Sequence, residues 1–280
     1  MKTRVITSVF IGAVLIAVLM LSETPIYSIA LSVLAVMAVS EIMRAYSLSD
    51  KYSLSVPAYI IAVVMPTLAY VMKRMFDIEE SKFIIVLALA LFVYMIYLFV
   101  VAVFMKGALE FATLSAGFVL VMYITACFSA LSVIRYTSEA GLFNVGMVFI
   151  GAWISDIFAY FSGRLFGKHK LIPEVSPKKT VEGSIGAIIS TAVLMTVYGL
   201  LVSAFTDLTP KYLVLAISGV VLSVVGQIGD LIASFVKRER GIKDYGTLLP
   251  GHGGIMDRFD SILTVSGATM IIVLLFAPFT

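Results

Sequence analysis

The sequence is poor in the residues on which much soluble chemistry rests. It holds one cysteine, Cys127, in 280 residues, which excludes an intrachain disulfide and a thiolate metal cluster. Cys127 lies in an apolar run and reads as a packed core thiol. Two histidines, His169 and His252, exclude a histidine-rich metal centre. Charge is scarce as well: Asp, Glu, Lys and Arg make up 13% of the chain, against roughly 25% in an ordinary soluble domain. The 20 basic and 17 acidic side chains leave a net charge of +3, which excludes a strongly basic nucleic-acid binder. What fills the chain instead is apolar: 61% of the residues are hydrophobic and the mean hydropathy is +1.07. This is the composition of a polytopic membrane protein, in which the few charges become the informative residues.

A helix needs about 20 mostly apolar residues to span a bilayer. Nine stretches meet that length, near 5–22, 25–43, 55–72, 83–105, 111–134, 141–163, 184–205, 212–236 and 262–279. The first follows Lys2 and Arg4, but Ser22-Glu23-Thr24-Pro25 makes a poor cleavage site, so it reads as a retained helix. Pro25 and Pro57 are expected to open helices, and Pro66 to kink the third. With the N-terminus placed in the cytoplasm, the inner segments hold 15 Lys and Arg and the outer ones 5. The positive-inside rule then predicts an all-α chain of about nine spans with a cytoplasmic N-terminus. Residues 1–140 read as a scaffold of five helices with charges only near helix ends. Residues 141–280 read as a catalytic half of four helices with cytoplasmic loops at 164–183 and 237–261. The spacing of Gly141, Gly146 and Gly151 suggests close helix packing.

Asp156 and Asp230 fall inside spanning stretches, near their cytoplasmic ends. A carboxylate at the centre of a bilayer costs about 2.5–3.5 kcal/mol on insertion scales, so it normally faces a cavity or a partner. Ser223, Gln227, Asp230, Ser234 and Lys237 recur at steps of four and three, one polar stripe that cannot face lipid. Trp153, Asp156, Tyr160 and Arg164 form a similar stripe. Gly251-His252-Gly253-Gly254 runs into the start of the ninth stretch, where free N–H groups favour anions such as phosphate. Asp257 and Asp260 share a face of its first turn. They could complement the helix dipole, or hold Mg²⁺ against substrate phosphates. Lys237, Arg238, Arg240, Lys243, Lys178 and Lys179 supply cations, either for a solvated face and lipid headgroups or for phosphate oxygens. Ser176-Pro177-Lys178-Lys179-Thr180 could serve simply as a turn that caps the next helix. His169 reads as a solvated loop residue.

These residues carry a resemblance. Ser234, Lys237 and Arg238, then Lys243, Asp244 and Gly246, then Leu249-Pro250-Gly251-His252-Gly253-Gly254, then Asp257, Arg258 and Asp260 fill a stretch of 27 residues. That stretch resembles the motif of the phosphatidate cytidylyltransferases, also called CDP-diacylglycerol synthases. A second segment resembles the same family: Asp156, Tyr160, Gly163, Arg164, Phe166, Gly167, Lys168, Ser176 to Thr180, Glu182 and Gly183. Residues 1–140 match only as apolar helices.

The resemblance implies a multi-pass membrane enzyme, in the inner membrane if bacterial, with its active site facing the cytoplasm. It implies that CTP and phosphatidate become CDP-diacylglycerol and pyrophosphate, with Mg²⁺ and room for a second cation. On that reading Asp230 and Asp257 hold the metal, with Asp260 and Asp156 as further candidates. The Gly251–Gly254 backbone cradles the triphosphate, and Lys237, Arg238 and Arg258 face the leaving pyrophosphate. Lys178 and Lys179 meet lipid or nucleotide phosphate, while Ser176, Ser234, Lys243 and Asp244 complete the set. A homodimer is compatible with the few outer loops. Two rival readings use the same features. A cation-coupled transporter also has intramembrane carboxylates, but here the charges gather at one face and no inverted repeat is visible. Another intramembrane phospholipid or isoprenoid transferase usually pairs carboxylates at short spacing within one helix, whereas Asp230 stands alone in its helix.

Overall fold

A bilayer offers the backbone no water, so apolar runs of this length close their hydrogen bonds internally as helices. The structure, a computed structural model, describes residues 2–76, 78, 80–105, 110–248 and 253–280. In chain order the helices are α1 (Lys2–Met20), α2 (Pro25–Ala45), α3 (Tyr52–Met75), α4 (Glu80–Phe104), α5 (Phe111–Tyr136), α6 (Gly141–Phe166), α7 (Val181–Phe205), α8 (Tyr212–Glu239) and α9 (Met256–Phe276). Among the described residues eight of them, α2 to α9, are long and apolar enough to cross a membrane, and α1 carries a shorter apolar stretch, Ile11–Met20. The chain is an all-α polytopic membrane protein with one addition. The loop after α6 contains a short antiparallel hairpin, β1 (Lys170–Ile172) and β2 (Ser176–Thr180), with Lys170 opposite Thr180.

Two compact units divide the chain: Met1–Thr137 with Asp244–Asp257, and Ser138–Lys243 with Arg258–Thr280. In the first, α2, α3 and α5 pack around Ala35, Ile42, Leu54, Met65, Ile124, Phe128 and Ile134, all at most 2% exposed. Thr24 caps α2 by accepting from the Ile26 N–H, and Pro25 takes the first helical position, as expected. Pro57 does not open a helix. It lies inside α3, which begins at Tyr52, so it cannot donate to the Ser53 carbonyl one turn back. The Tyr97 hydroxyl of α4 donates to that carbonyl at 2.8 Å and so supplies the hydrogen bond that the interior proline cannot. Just before α2, beside Ser22 and Glu23, Arg135 of α5 is 5% exposed. Its Nε donates to Ser22 Oγ at 2.8 Å and its guanidinium pairs with Glu23, which also pairs with Arg74.

In the second unit the helices approach closely at glycines. A side chain at Gly146 would collide with the Tyr198 hydroxyl, and one at Gly151 would lie 2.9 Å from Leu222 Cβ, so two of the three spaced glycines do serve close packing. Gly219 meets backbone instead: a Cβ there would sit 2.5 Å from Ala192 Cα and 2.8 Å from the Thr191 carbonyl. Backbone cannot rotate away as a side chain can, so Gly219→Ala must push α8 off α7. Such overpacking costs about 1–3 kcal/mol, and the expected result is a lower midpoint of thermal unfolding in detergent. An unchanged midpoint would mean that α7 and α8 are not locked at this contact. Within α6 a wide turn of π-helix occupies Ile150–Ile154. It offsets the helical register immediately before Ser155 and Asp156, as such insertions often do beside functional residues.

Candidate active site

The site grows out of three helices and the hairpin of the second unit. Thr180 ends β2 and caps α7, its Oγ1 accepting from the Gly183 N–H at 3.2 Å. Gly163 and Gly183 bring α6 against that cap: a Cβ on Gly163 would fall 2.7 Å from Thr180 Oγ1. Glu182, in the first turn of α7, accepts from the N–H groups of Lys168 and His169 and pairs with His169 Nδ1 at 2.7 Å. The hairpin is therefore fixed at both of its ends, which sets the position of Lys179. Its Nζ reaches Asp230 Oδ2 at 2.5 Å and donates to the Gln227 carbonyl at 3.4 Å. The paired side chains are 20% and 29% exposed.

Asp230 does not stand alone among carboxylates in space. It repels Asp156 on α6 and Asp260 on α9, and these two repel each other. Lys179 attracts Asp156, and Lys237 attracts Asp260. Ser261 links two of the acids: its hydroxyl donates to Asp156 Oδ2 at 3.2 Å and its N–H to Asp260 Oδ1 at 2.8 Å. Below them the α8 stripe turns inward as its spacing requires. Ser223 and Gln227 are buried, the Gln227 amide donates to Ser223 Oγ at 3.3 Å, and Ser223 meets Ser155 Oγ at 2.9 Å. Three carboxylates thus face two ammonium groups at one end of a polar seam. The α6 stripe is less regular. Trp153 stacks on Phe149 at 4.9 Å and remains 46% exposed, while Tyr160 accepts from Arg164 at 3.3 Å.

The first unit holds the other half of the motif. Asp257 Oδ2 accepts from the N–H groups of Tyr245 at 2.8 Å and Gly254 at 3.0 Å. Glu41, on α2 and 1% exposed, accepts from Ile255 through Oε1 and from Met256 through Oε2, each at 2.9 Å. Gly253 has φ +84°, a left-handed conformation that suits glycine. The expectation that free N–H groups at the start of this helix receive phosphate is therefore corrected for Gly254, Ile255 and Met256. Two carboxylates already occupy those donors, and they complement the positive end of the helix at the same time. Leu249, Pro250, Gly251 and His252 lie outside the described residues.

A family model described as the Cytidylyltransferase family matches residues 2–276. The chain belongs to the cytidylyltransferase family. It is 33% identical over 265 residues to the phosphatidate cytidylyltransferase of Bacillus subtilis (strain 168), covering 95% of this chain and 94% of that protein. It is 45% identical over 129 residues to the phosphatidate cytidylyltransferase of Staphylococcus saprophyticus, 46% of this chain and 48% of that one. The resemblance drawn from residues 156–183 and 234–260 is borne out.

In this cytidylyltransferase the structure gathers Asp156, Asp230, Asp260, Lys179 and Lys237. Ser234 lies one turn beyond Asp230 on α8 and is half-buried, and Arg238 is exposed beyond it. Ser176 opens β2 opposite Ile172, and Lys178 is exposed on the same strand. Lys243, Asp244 and Arg258 are exposed. Among the described residues, no group of three or more His, Cys, Asp or Glu is arranged as a ready metal cage. Sequence reasoning missed Glu41 and Ser261; it placed Glu182 in the second motif segment without its contacts to Lys168 and His169, and its reading of Ser176–Thr180 as a cap for the next helix is met by Thr180, which accepts from Gly183. Glu41 had a signal: it is an acid inside the second apolar stretch, and such a residue needs a partner.

Proposed function

We propose that the chain makes CDP-diacylglycerol and pyrophosphate from phosphatidate and CTP, as a step of phospholipid biosynthesis. What carries this reading is kinship along nearly the whole chain with a protein named phosphatidate cytidylyltransferase. The chemistry agrees with the side chains present. A phosphatidate oxygen bonds to the α-phosphorus of CTP while the α–β anhydride bond breaks and pyrophosphate departs. The nucleophile is already an anion, so no strong general base is needed, and no histidine or hydroxyl need serve as one. The obstacle is repulsion between polyanions, which positioning and charge neutralisation overcome.

Lys178 and Lys179 receive a substrate phosphate. Lys237, Arg238 and Arg258 steady the pyrophosphate as negative charge builds on it, with Lys243 and Asp244 alongside. Ser176 and Ser234 donate hydrogen bonds to bound phosphate. Asp230 with either Asp156 or Asp260 would offer two oxygen ligands to a hard divalent cation. The three carboxylates are oxygen donors in mutual repulsion, and Mg²⁺ typically takes one or two carboxylates, leaving its other positions to water and substrate phosphate. Asp257, in the first unit, is a separate ligand candidate; its Oδ2 accepts two N–H groups. When bound, Mg²⁺, with or without a second cation, supplies neutralisation of phosphate oxygens. The N-terminus and the loops 164–183 and 237–261 face the cytoplasm, where CTP is available, and lipid enters from the bilayer.

The test is purified protein in detergent, given phosphatidate, Mg²⁺ and radiolabelled CTP, then each other nucleotide in turn, with lipids separated by thin-layer chromatography. A labelled lipid product from CTP alone is expected. Nucleotide uptake by proteoliposomes with no lipid product would instead favour a transporter.

A further inference from the structure

The signature segment is held by an acid that lies outside both motif segments. Glu41 belongs to α2, some 200 residues earlier in the chain, and is 1% exposed. Both of its oxygens are used, Oε1 by the Ile255 N–H and Oε2 by the Met256 N–H, each at 2.9 Å. The segment is shaped to admit it from two sides. A Cβ on Gly246 would lie 2.7 Å from Glu41 Oε1, and one on Gly254 would collide with both carboxylate oxygens. Asp257 then ties the same two places together by accepting from Tyr245 and Gly254. One buried carboxylate is therefore packed against Gly246 and Gly254 and bonded to Ile255 and Met256.

We infer that Glu41 is a positioning residue: it braces the Tyr245–Gly246 and Gly254–Met256 segments so that Gly253 and Asp257 are presented to the nucleotide. This rests on the proposed function and deepens it, since nothing in the motif itself would assign a role to α2. Glu41 touches no substrate in this scheme; it acts through backbone alone. A carboxylate suits the task because it offers two acceptors and no donor. Glutamine at this position keeps the volume but turns an NH₂ toward one of the two N–H groups.

The experiment compares the full-length protein with Glu41→Gln by hydrogen exchange without nucleotide and by steady-state kinetics. Exchange in peptides covering 253–257 is expected to accelerate. KM for CTP is expected to rise about tenfold or more, the size of one lost charge-assisted hydrogen bond, while KM for phosphatidate stays within about twofold. A merely structural residue would lower the active fraction and move kcat with both KM values unchanged. If Glu41→Gln does not fold, Gly254→Ala displaces the carboxylate with Glu41 intact and should give the same split. Unchanged exchange, or equal changes in both KM values, overturns the inference. If the unaltered protein makes no lipid product, the functional reading fails, and the exchange result alone then judges the bracing.

Discussion

Asp230→Asn is expected to lower turnover by about 10³-fold, the upper range for removing one electrostatic group at a reacting centre. The substitution keeps the shape of the side chain and removes only its charge. Asp230 is the carboxylate that both Asp156 and Asp260 repel and to which Lys179 is paired at 2.5 Å. It therefore governs the charge balance of the whole cluster. Affinity for a divalent cation should fall together with turnover. The fold should persist, because Ser223 meets Ser155 of α6 and the Gln227 amide donates to the Ser184 carbonyl of α7, bonds that do not include Asp230. Full turnover in this variant, measured as lipid product per protein in detergent, would remove Asp230 from the mechanism.

Lys179→Met is expected to lower kcat/KM by about 10²-fold, the lower range for one lost stabilising charge, with an opposite effect on cation binding. Lys179 Nζ lies against Asp230 Oδ2 and also attracts Asp156. An ammonium there competes with any divalent cation for the same oxygens. Removing it should tighten divalent binding even as the reaction slows, because the phosphate loses a cation partner. The two variants thus share a loss of activity and differ in the sign of the change in metal affinity. A Lys179→Met protein that both works slowly and binds the cation more weakly would show that Lys179 supports the cation seat rather than competing with it.

Much of this was legible in the sequence. Apolar length placed the helices within a few residues, because in a bilayer a run of about 20 apolar residues has little alternative to a helix. Helical periodicity put Ser223, Gln227 and Asp230 on one inward face. The carboxylates were legible for a related reason: an acid inside an apolar run needs a purpose. Other features depend on partners distant in the chain. Pro57 could be read as a helix start because Tyr97, 40 residues on, is what makes an interior proline tolerable at that point. Glu41 could be dismissed as a charge near a helix end because its two donors, Ile255 and Met256, lie beyond six other helices. The same long-range contact altered the reading of this helix start: glycine content and an apolar run announce N–H groups to offer, but not that an acid from α2 has already taken those of Ile255 and Met256. The hairpin was hidden by its brevity, three residues against five. The wide turn at Ile150–Ile154 leaves no mark in the hydrophobic pattern, since that run is apolar on every side.

The claim on which the rest depends is that Asp230, with Asp156 or Asp260, seats a divalent cation. Mn²⁺ titration followed by electron paramagnetic resonance, on detergent-solubilised protein with and without CTP, tests it without reference to turnover. Mn²⁺ should bind in the presence of CTP, and the bound signal should disappear in an Asp230→Asn, Asp260→Asn double variant that still unfolds cooperatively. Equal Mn²⁺ uptake by the double variant and the unaltered protein would contradict the claim and place the cation elsewhere.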